Sequence, residues 1–122
     1  DVISNVESLY YYPEPQRALD EWYRLAKKDG YLVIMMDLYE ESPATHNWIE
    51  ALDVPVHLFS KTVIREMLSQ SGWTVQLMAQ ITDRRAMKTP DEFVESTYWP
   101  SYDQYQNYRE TGSLCIIAQK VI

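Results

Sequence analysis

The sequence predicts an α/β fold, in which helices cover an open parallel sheet. The segment Tyr31–Met36 is continuously apolar, which is typical of a strand that is covered on both faces. An amphipathic helix pattern precedes this segment, and a short apolar strand precedes the helix. A strand, a helix and a second buried strand form a βαβ unit, whose crossover is expected to be right-handed.

The first helix is predicted over residues 15–28. Pro15 suits the first turn, because the N–H groups there have no intrahelical partner to lose. Apolar residues then follow at i, i+3, i+4 and i+7 and form one face of the helix: Leu19, Trp22, Tyr23 and Ala26. Lys27 and Lys28 favour the C-terminal end of the helix dipole, and Gly30 is expected to adopt the left-handed cap conformation.

Beyond Asp37 the pattern is weaker but still indicates helices and a strand. Ser42-Pro43 marks the start of a helix over residues 44–52. Ser60 is expected to cap a further helix that ends at Ser71-Gly72. Residues 73–81 then alternate as a strand, with one face formed by Trp73, Val75, Leu77 and Ala79.

The last forty residues are predicted to form a flap and a final strand. Thr89-Pro90 opens a short helix that extends to residue 95, and Ser101 with Gln104 resembles a capping box for a last helix. Gly112 ends that helix, and residues 113–122 form the final strand. Residues 82–112 are longer than a hairpin connection requires, so we interpret them as a helical insertion or flap.

The composition is that of an ordinary globular protein and excludes several functional classes. The 122 residues are 46% apolar and 24% charged. A net charge of -7 argues against a nucleic-acid partner, because binding to phosphates depends on clustered Lys and Arg. No apolar run is long enough to span a bilayer, so no membrane association is expected. Cys115 is the single cysteine, and a reducing cytoplasm is the expected location.

Residues 1–37, DVISNVESLYYYPEPQRALDEWYRLAKKDGYLVIMMD, resemble the strand 4, helix D and strand 5 segment of class I S-adenosylmethionine-dependent methyltransferases. The resemblance is to the small-molecule, type 11-like members, in which a helix of ALxExxRxLKxGG character precedes a hydrophobic strand. The matching residues here are Ala18-Leu19, Glu21, Arg24-Leu25, Lys27-Lys28 and Gly30. The resemblance implies a Rossmann-like sheet with the strand order 4, 5, 7, 6, in which the last strand in sequence is antiparallel.

Two cofactor-binding features of that family are missing from the sequence. The chain has three glycines and no G-x-G, so the Gly-rich loop after strand 1 is not present. The acidic residue that ends strand 2 and binds the cofactor ribose would also lie upstream of Asp1. We therefore interpret residues 1–122 as the C-terminal part of a methyltransferase domain. We expect S-adenosylmethionine to bind the complete enzyme and not this chain alone.

The resemblance places the methionine end of the cofactor beside the loop after the first strand. The candidate cofactor-binding residues are Ser4, Asn5, Val6 and Tyr10. Asn is also a common turn residue, so a purely structural role for Asn5 stays open. An aromatic face beside the positively charged sulfonium would be favourable, and Tyr10 or Tyr11 could provide it.

The acceptor side is predicted from the loops that follow the two strands. The candidate substrate-binding residues are Tyr11, Tyr39, His46 and Trp48, and the candidate catalytic residues are His46 and Tyr39. A histidine can remove the proton when the nucleophile is not already free, although a capping or solvent-facing role for His46 stays open. Asp37, Glu40 and Glu41 lack the fixed spacing of a metal site, so no metal is predicted.

Two functions are therefore considered for the chain. The first is methyl transfer to a small-molecule acceptor by a parent enzyme, with this chain providing part of the sheet and most of the acceptor pocket. The second is a non-catalytic interaction or dimerisation domain of the same architecture. A homodimer is expected, either through the unpaired edge at the first strand or through the aromatic flap, which would be the dimerisation surface of the second function.

Overall fold

The computed structural model describes residues 1–122 and contains four strands and four α-helices. Two short 3₁₀ turns lie at Leu9–Tyr11 and Pro43–Thr45. The strands are β1 (Val2–Val6), β2 (Tyr31–Met36), β3 (Thr74–Ile81) and β4 (Ser113–Gln119). The helices are α1 (Pro15–Leu25), α2 (Trp48–Leu52), α3 (Lys61–Ser71) and α4 (Tyr102–Thr111).

The four strands form one sheet in the order β1, β2, β4, β3, which confirms the predicted order. β1 pairs parallel to β2, whereas β4 is antiparallel to both of its neighbours. Because β1 and β2 are parallel, their carboxyl ends lie at the same edge of the sheet. β4 begins at that edge, where Leu114 pairs with Met36. This edge therefore brings together three segments: the one after β1, the one after β2 and the one before β4.

Helices α1 and α3 cover one face of the sheet. Their buried side chains Leu19, Ile64 and Leu68 pack in one core cluster with residues of β2 and β4. The members that come from these two strands are Leu32, Ile34, Met36, Leu114, Ile116 and Ala118. Trp73 closes this layer by donating its indole N–H to the carbonyl oxygen of Leu19 at 3.2 Å.

The opposite face of the sheet is apolar and partly exposed. In register across β1 and β2 it presents Val2 and Val6, which are 65% and 60% exposed, beside Tyr31 and Met35. Leu77 of β3 continues the same face through its partner Ile117 and is 43% exposed. We name this surface the bare face. The continuous apolar run of β2 predicts cover on both faces, but residues 1–122 supply a helical layer on one face only.

A β-bulge in β3 makes the predicted inward face of that strand wrong beyond Val75. The register shifts between Val75 and Leu77, so the next residue that packs on the core is Met78. An extra residue in one strand reverses the alternation of the side chains that follow it. Leu77 therefore lies on the bare face instead of in the core.

Helix α1 ends three residues earlier than predicted. Ala26 already has extended backbone, and Lys120 Nζ donates to its carbonyl oxygen at 3.0 Å. This ammonium group of β4's C-terminal segment therefore caps α1 in place of a Gly30 cap. Asp29 adopts the left-handed conformation with φ of 67°, while a Cβ at Gly30 would lie 2.9 Å from a backbone oxygen. The absence of a side chain at Gly30 thus allows its backbone to lie close to the carbonyl oxygen of Lys27.

The caps of α3 and α4 confirm the sequence predictions in part. Ser60 Oγ accepts from the N–H of Val63, and Gly72 ends α3 with φ of 101°. The Ser101 hydroxyl accepts from the N–H of Gln104, but the Gln104 side chain does not complete a capping box. It donates instead to the carbonyl oxygen of Ala44 at 2.9 Å, which ties α4 to the loop after β2.

Two of the predicted helices differ in the structure. The single helix expected over residues 44–52 is a 3₁₀ turn followed by α2. The helix expected over residues 89–95 is a single turn, which begins with Glu92 Oε1 accepting from both the N–H and the hydroxyl of Thr89. Phe93 then packs against Tyr102 and Tyr105 with ring centroids 5.6 and 5.5 Å apart, which directs the chain toward α4.

Candidate functional site

Two carboxylates meet at the carboxyl edge of the sheet. Glu7 follows β1 and Asp37 follows β2, and the backbone N–H of Asp37 donates to Glu7 Oε1 at 2.5 Å. Glu7 holds this position in a left-handed backbone conformation with φ of 54°, which is uncommon for a residue other than glycine. Strained backbone of this kind concentrates at functional sites. We name Glu7 and Asp37 the acid pair.

Three hydroxyl groups donate to the acid pair. Tyr10 donates to Glu7 Oε2 at 2.7 Å, and Tyr108 of α4 donates to Asp37 Oδ2 at 2.7 Å. Ser113, the first residue of β4, donates to Asp37 Oδ1. The network therefore joins the segments that follow β1 and β2 to α4 and to the start of β4.

The pKa values of Glu7, Tyr10 and Tyr108 are raised in this network. Burial raises the pKa of Glu7, and the nearby Asp37 carboxylate raises it further, against the lowering effect of the hydrogen bond from Tyr10. Burial and the hydrogen bond to Glu7 raise the pKa of Tyr10. Burial and the hydrogen bond to Asp37 likewise raise the pKa of Tyr108. Both phenols are therefore neutral donors at physiological pH.

This arrangement presents negative charge and hydrogen-bond acceptors at the edge. Because the protons of Tyr10 and Tyr108 are directed at carboxylates, their oxygens can still accept a hydrogen bond from a ligand. A cationic group close to two carboxylates is also favoured electrostatically. Sequence reasoning named neither Glu7 nor Tyr108 as a site residue. The available signal was that Glu7 and Asp37 directly follow neighbouring parallel strands.

The candidate cofactor-binding residues lie on both faces of β1. Asn5 is buried, and its Nδ2 donates to Ser8 Oγ at 2.6 Å. Its Oδ1 is buried without any hydrogen-bond partner, which is rare for a side-chain oxygen. Ser4 and Val6 are exposed on the bare face. Tyr10 is 4% exposed and belongs to the acid-pair network.

An apolar cleft lies beside the same loops, with a volume of about 640 Å³. One wall is the segment after β1 and the other is the segment after α2. The lining residues are Tyr11, Tyr12 and Pro13 on the first wall and Leu52 and residues 54–57 on the second. This volume is in the range of small-molecule sites, and predominantly apolar walls are typical of them. The structure therefore places Tyr11 in a cleft of the predicted kind.

The histidine in this cleft is His57 and not His46. The His57 backbone N–H donates to the carbonyl oxygen of Tyr10 at 2.8 Å, and its Nε2 lies 2.9 Å from the carbonyl oxygen of Tyr12. A carbonyl partner assigns the proton to Nε2, which leaves Nδ1 as an acceptor in the neutral ring. His46 Nε2 instead lies 3.2 Å from the carbonyl oxygen of Tyr39. The catalytic role of His46 stays a prediction.

Tyr39 and Trp48 lie in packed surroundings. Tyr39 is fully buried, and its hydroxyl donates to the carbonyl oxygen of Gly112 at 2.8 Å. The indole N–H of Trp48 donates to the carbonyl oxygen of Tyr98, and its ring lies 5.1 Å from that of Trp99. These contacts favour structural roles for both side chains, and their predicted roles in substrate binding and catalysis are not tested by them.

The candidate metal ligands are dispersed. The Glu41 carboxylate accepts from the N–H of Lys61 at the start of α3. Glu40 is exposed, and Asp37 belongs to the acid pair. Within residues 1–122 no group of three or more His, Cys, Asp and Glu side chains is close enough to hold a metal ion. No helix is long and apolar enough to cross a membrane.

Solved structures of methyltransferases have the same fold as this chain. A Haloferax volcanii protein assigned as a methyltransferase, in complex with a methyltransferase activator, superposes with a TM-score of 0.86 at 24% identity, over 98% of this chain and 53% of its own. An S-adenosylmethionine-dependent methyltransferase from Mesorhizobium loti gives 0.68 at 10% identity, over 98% and 61%. One from Thermotoga maritima gives 0.64 at 21% identity, over 100% and 56%.

The chain thus spans little more than half the length of these structures. A search of curated protein sequences finds no significant match. The sequence model of a methyltransferase domain matches residues 1–77, which is more than half of the chain. This family implies dependence on S-adenosylmethionine. The strand order, the carboxyl-edge site and the matched residues lead to one conclusion: the chain belongs to the methyltransferase-domain family.

Proposed function

We propose that this chain forms the acceptor side of an enzyme that transfers a methyl group from S-adenosylmethionine to a small molecule. The observation that carries the proposal is the position of the apolar cleft. One of its walls lies in the segment after β1, which begins with Glu7 of the acid pair, and in the other wall the backbone N–H of His57 donates to the carbonyl oxygen of Tyr10. Ligands of open α/β sheets bind outside the carboxyl ends of the strands.

The residues at this edge fit the methionine end of the cofactor. The buried Oδ1 of Asn5 is an acceptor without a partner, which suits an ammonium group. Ser4, Val6 and Tyr10 would complete this side of the site. When bound, the cofactor supplies an electrophilic methyl group on a positively charged sulfur. The acid pair places negative charge at the same edge, where it would favour binding of that cation.

The bare face supports the proposal that residues outside this chain cover the sheet in the complete protein. It exposes apolar side chains across three strands, among them Val2, Val6 and Leu77. A sheet in an α/β domain buries both faces under helices. We propose that a segment upstream of Asp1 covers this face and carries the Gly-rich loop, because the chain spans 53% to 61% of the length of the three structures described above.

The acceptor is proposed to be a molecule with an apolar body. Tyr11 and Tyr12 would contact that body in the cleft, and His57, which lines the cleft and has its Nε2 beside the carbonyl oxygen of Tyr12, would accept a proton or a hydrogen bond at Nδ1. His46 remains the second candidate base. A base is required only when the nucleophile carries a proton that must leave.

The test is methyl transfer by the protein encoded by the whole open reading frame, assayed with labelled cofactor and a panel of small acceptors. We expect Tyr11→Ala to raise KM for the acceptor and leave cofactor affinity unchanged. His57→Ala and His46→Ala should separate the two candidate bases by their effect on kcat. Arg17→Gln, at an exposed site on α1, is the control. Loss of cofactor affinity equal to the loss of turnover would show that the cleft residues are scaffold and refute the acceptor assignment.

The exposure of β1 supports a second proposed property, which is self-association of the chain. This strand is at the edge of the sheet, and its exposed Val2 and Val6 adjoin an unpaired backbone edge. Such edges are templates for pairing with another chain. We propose that the isolated chain forms a homodimer through β1. This contact would be the basis of the alternative function, a non-catalytic interaction domain. The proposed location of the protein is the reducing cytoplasm. Sedimentation should show a dimer that Val6→Lys dissociates, and a wild-type monomer at millimolar concentration would refute the homodimer.

A further inference from the structure

A second cleft of about 290 Å³ lies beside α4, away from the apolar cleft. Unlike the apolar cleft, it is lined by cations. We name it the basic cleft and define it by Asp83, Arg85, Lys88, Tyr105, Tyr108 and Arg109. Three of these six residues are basic and one is acidic, in a chain whose net charge is -7.

Arg109 is the central cation of the basic cleft. Its guanidinium donates to the hydroxyl of Tyr105 at 3.1 Å and to the backbone carbonyl oxygens of Asp83 and Arg85. Its Nε is buried and has no partner. All of these acceptors are neutral, and no carboxylate lies within ion-pair distance of the guanidinium. The guanidinium therefore makes no ion pair and keeps a free donor at Nε, while the charge of Arg109 contributes to lowering the pKa of Asp83.

Tyr105 adds a donor without an acceptor. Its hydroxyl oxygen accepts from the backbone N–H of Lys88 and from Arg109 Nη1, both at 3.1 Å. The proton of the same hydroxyl has no acceptor in the structure. Tyr105 is 8% exposed, and it lines the basic cleft. An acceptor in the cleft would satisfy that proton.

The remaining charges do not neutralise the basic cleft. The Asp83 carboxylate is paired with Arg85 at 2.6 Å, and hydrogen bonds from Arg85 lower the pKa of Asp83 to about 2. The ammonium of Lys88 makes no hydrogen bond or ion pair. The neighbouring Glu92 carboxylate is engaged by Thr89, although Lys88 contributes to lowering its pKa. Lys88 and Arg109 therefore remain as cations without a bound anion.

We propose that the basic cleft binds an oxyanion, the carboxylate or phosphate group of a small molecule. Arg109 and Lys88 supply the charge, and the Tyr105 hydroxyl supplies a neutral donor. Tyr108 lines this cleft and also donates to Asp37 of the acid pair, so the two sites share a wall. In the enzyme proposed above, and resting on that proposal, the oxyanion is a group of the methyl acceptor.

The experiment is a titration of the ¹⁵N-labelled chain with inorganic phosphate and, separately, with acetate, at constant ionic strength in sodium chloride. We expect saturable shifts of the amide signals of Lys88, Tyr105 and Arg109, with one site per chain. Arg109→Gln removes charge-assisted hydrogen bonds and should weaken binding about tenfold or more. The tighter of the two anions identifies the group that the cleft recognises.

Lys88→Gln is the second variant in case Arg109→Gln fails to fold, because the exposed Lys88 ammonium makes no hydrogen bond or ion pair that its loss would break. It should weaken binding several-fold, and Arg17→Gln on α1 should leave it unchanged. Shifts that do not saturate, or equal binding by wild type and both cleft variants, would overturn the proposal. The titration contains no S-adenosylmethionine, so its outcome is independent of whether methyl transfer is observed.

Discussion

Replacing Tyr39 with Phe should destabilise the chain through the loss of one buried hydroxyl. That hydroxyl donates to the carbonyl oxygen of Gly112 at 2.8 Å and accepts from Gln80 Nε2 at 3.1 Å. Gln80 is exposed and can bind water instead, whereas the Gly112 backbone is buried. An unpaired buried carbonyl costs about 1–3 kcal/mol. For a chain of 122 residues this corresponds to a Tm lower by about 4–12 °C.

The assay is thermal and urea unfolding of Tyr39→Phe beside Tyr11→Phe as the matched control. Tyr11 is 38% exposed, and its hydroxyl makes no hydrogen bond within the chain, so its loss should cost less than about 0.5 kcal/mol. Equal stability of the two variants, with turnover of the complete enzyme lost only in Tyr39→Phe, would refute the structural role and favour the catalytic one.

Three further predictions concern pH, a helix cap and the bare face. Because burial raises the folded-state pKa of Glu7, its contribution to stability is present below its ordinary value of 4.5 and lost as pH rises through the raised pKa. Glu7→Gln should flatten this part of the profile in urea unfolding, and superimposable profiles would contradict it. Gly72→Ala should cost about 1–3 kcal/mol, because φ is 101° and the new Cβ would lie 2.9 Å from the Tyr23 ring; unchanged unfolding would contradict it. Val2→Lys should leave the isolated chain within about 0.5 kcal/mol of wild type but destabilise the complete enzyme. An equal change in the free energy of unfolding of both proteins would contradict the proposal that an upstream segment covers the bare face.

Local sequence patterns were sufficient for the elements whose signals lie within one turn or one strand. The cap at Ser60, the left-handed Gly72 and the apolar β2 follow from residue chemistry alone. The strand order came from the family resemblance, because no local pattern states which strands pair. The bulge in β3 could not be predicted, since Val75 and Leu77 both suit an inward position until the pairing with β4 is known.

The site was only partly predictable for a related reason. Tyr11 could be assigned to a cleft because it lies in the segment after β1, where ligands of such sheets bind. The network of Tyr108 and Ser113 on Asp37 joins residues more than seventy positions apart. Nothing in the separate segments shows that they meet. Tyr39 was predicted to contact the acceptor because it follows β2, and no local pattern indicates its hydrogen bond to Gly112, which is 73 positions away.

Cofactor binding by the chain and by the complete enzyme tests the central proposal most directly. Calorimetric titration of S-adenosylmethionine into the 122-residue chain should give no saturable heat, because the edge at Asn5 and Tyr10 covers only the methionine end. The protein encoded by the whole open reading frame should bind one cofactor per chain, and Asn5→Leu should weaken that binding. Saturable micromolar binding at one site by the isolated chain would contradict the division of the cofactor site between this chain and an upstream segment.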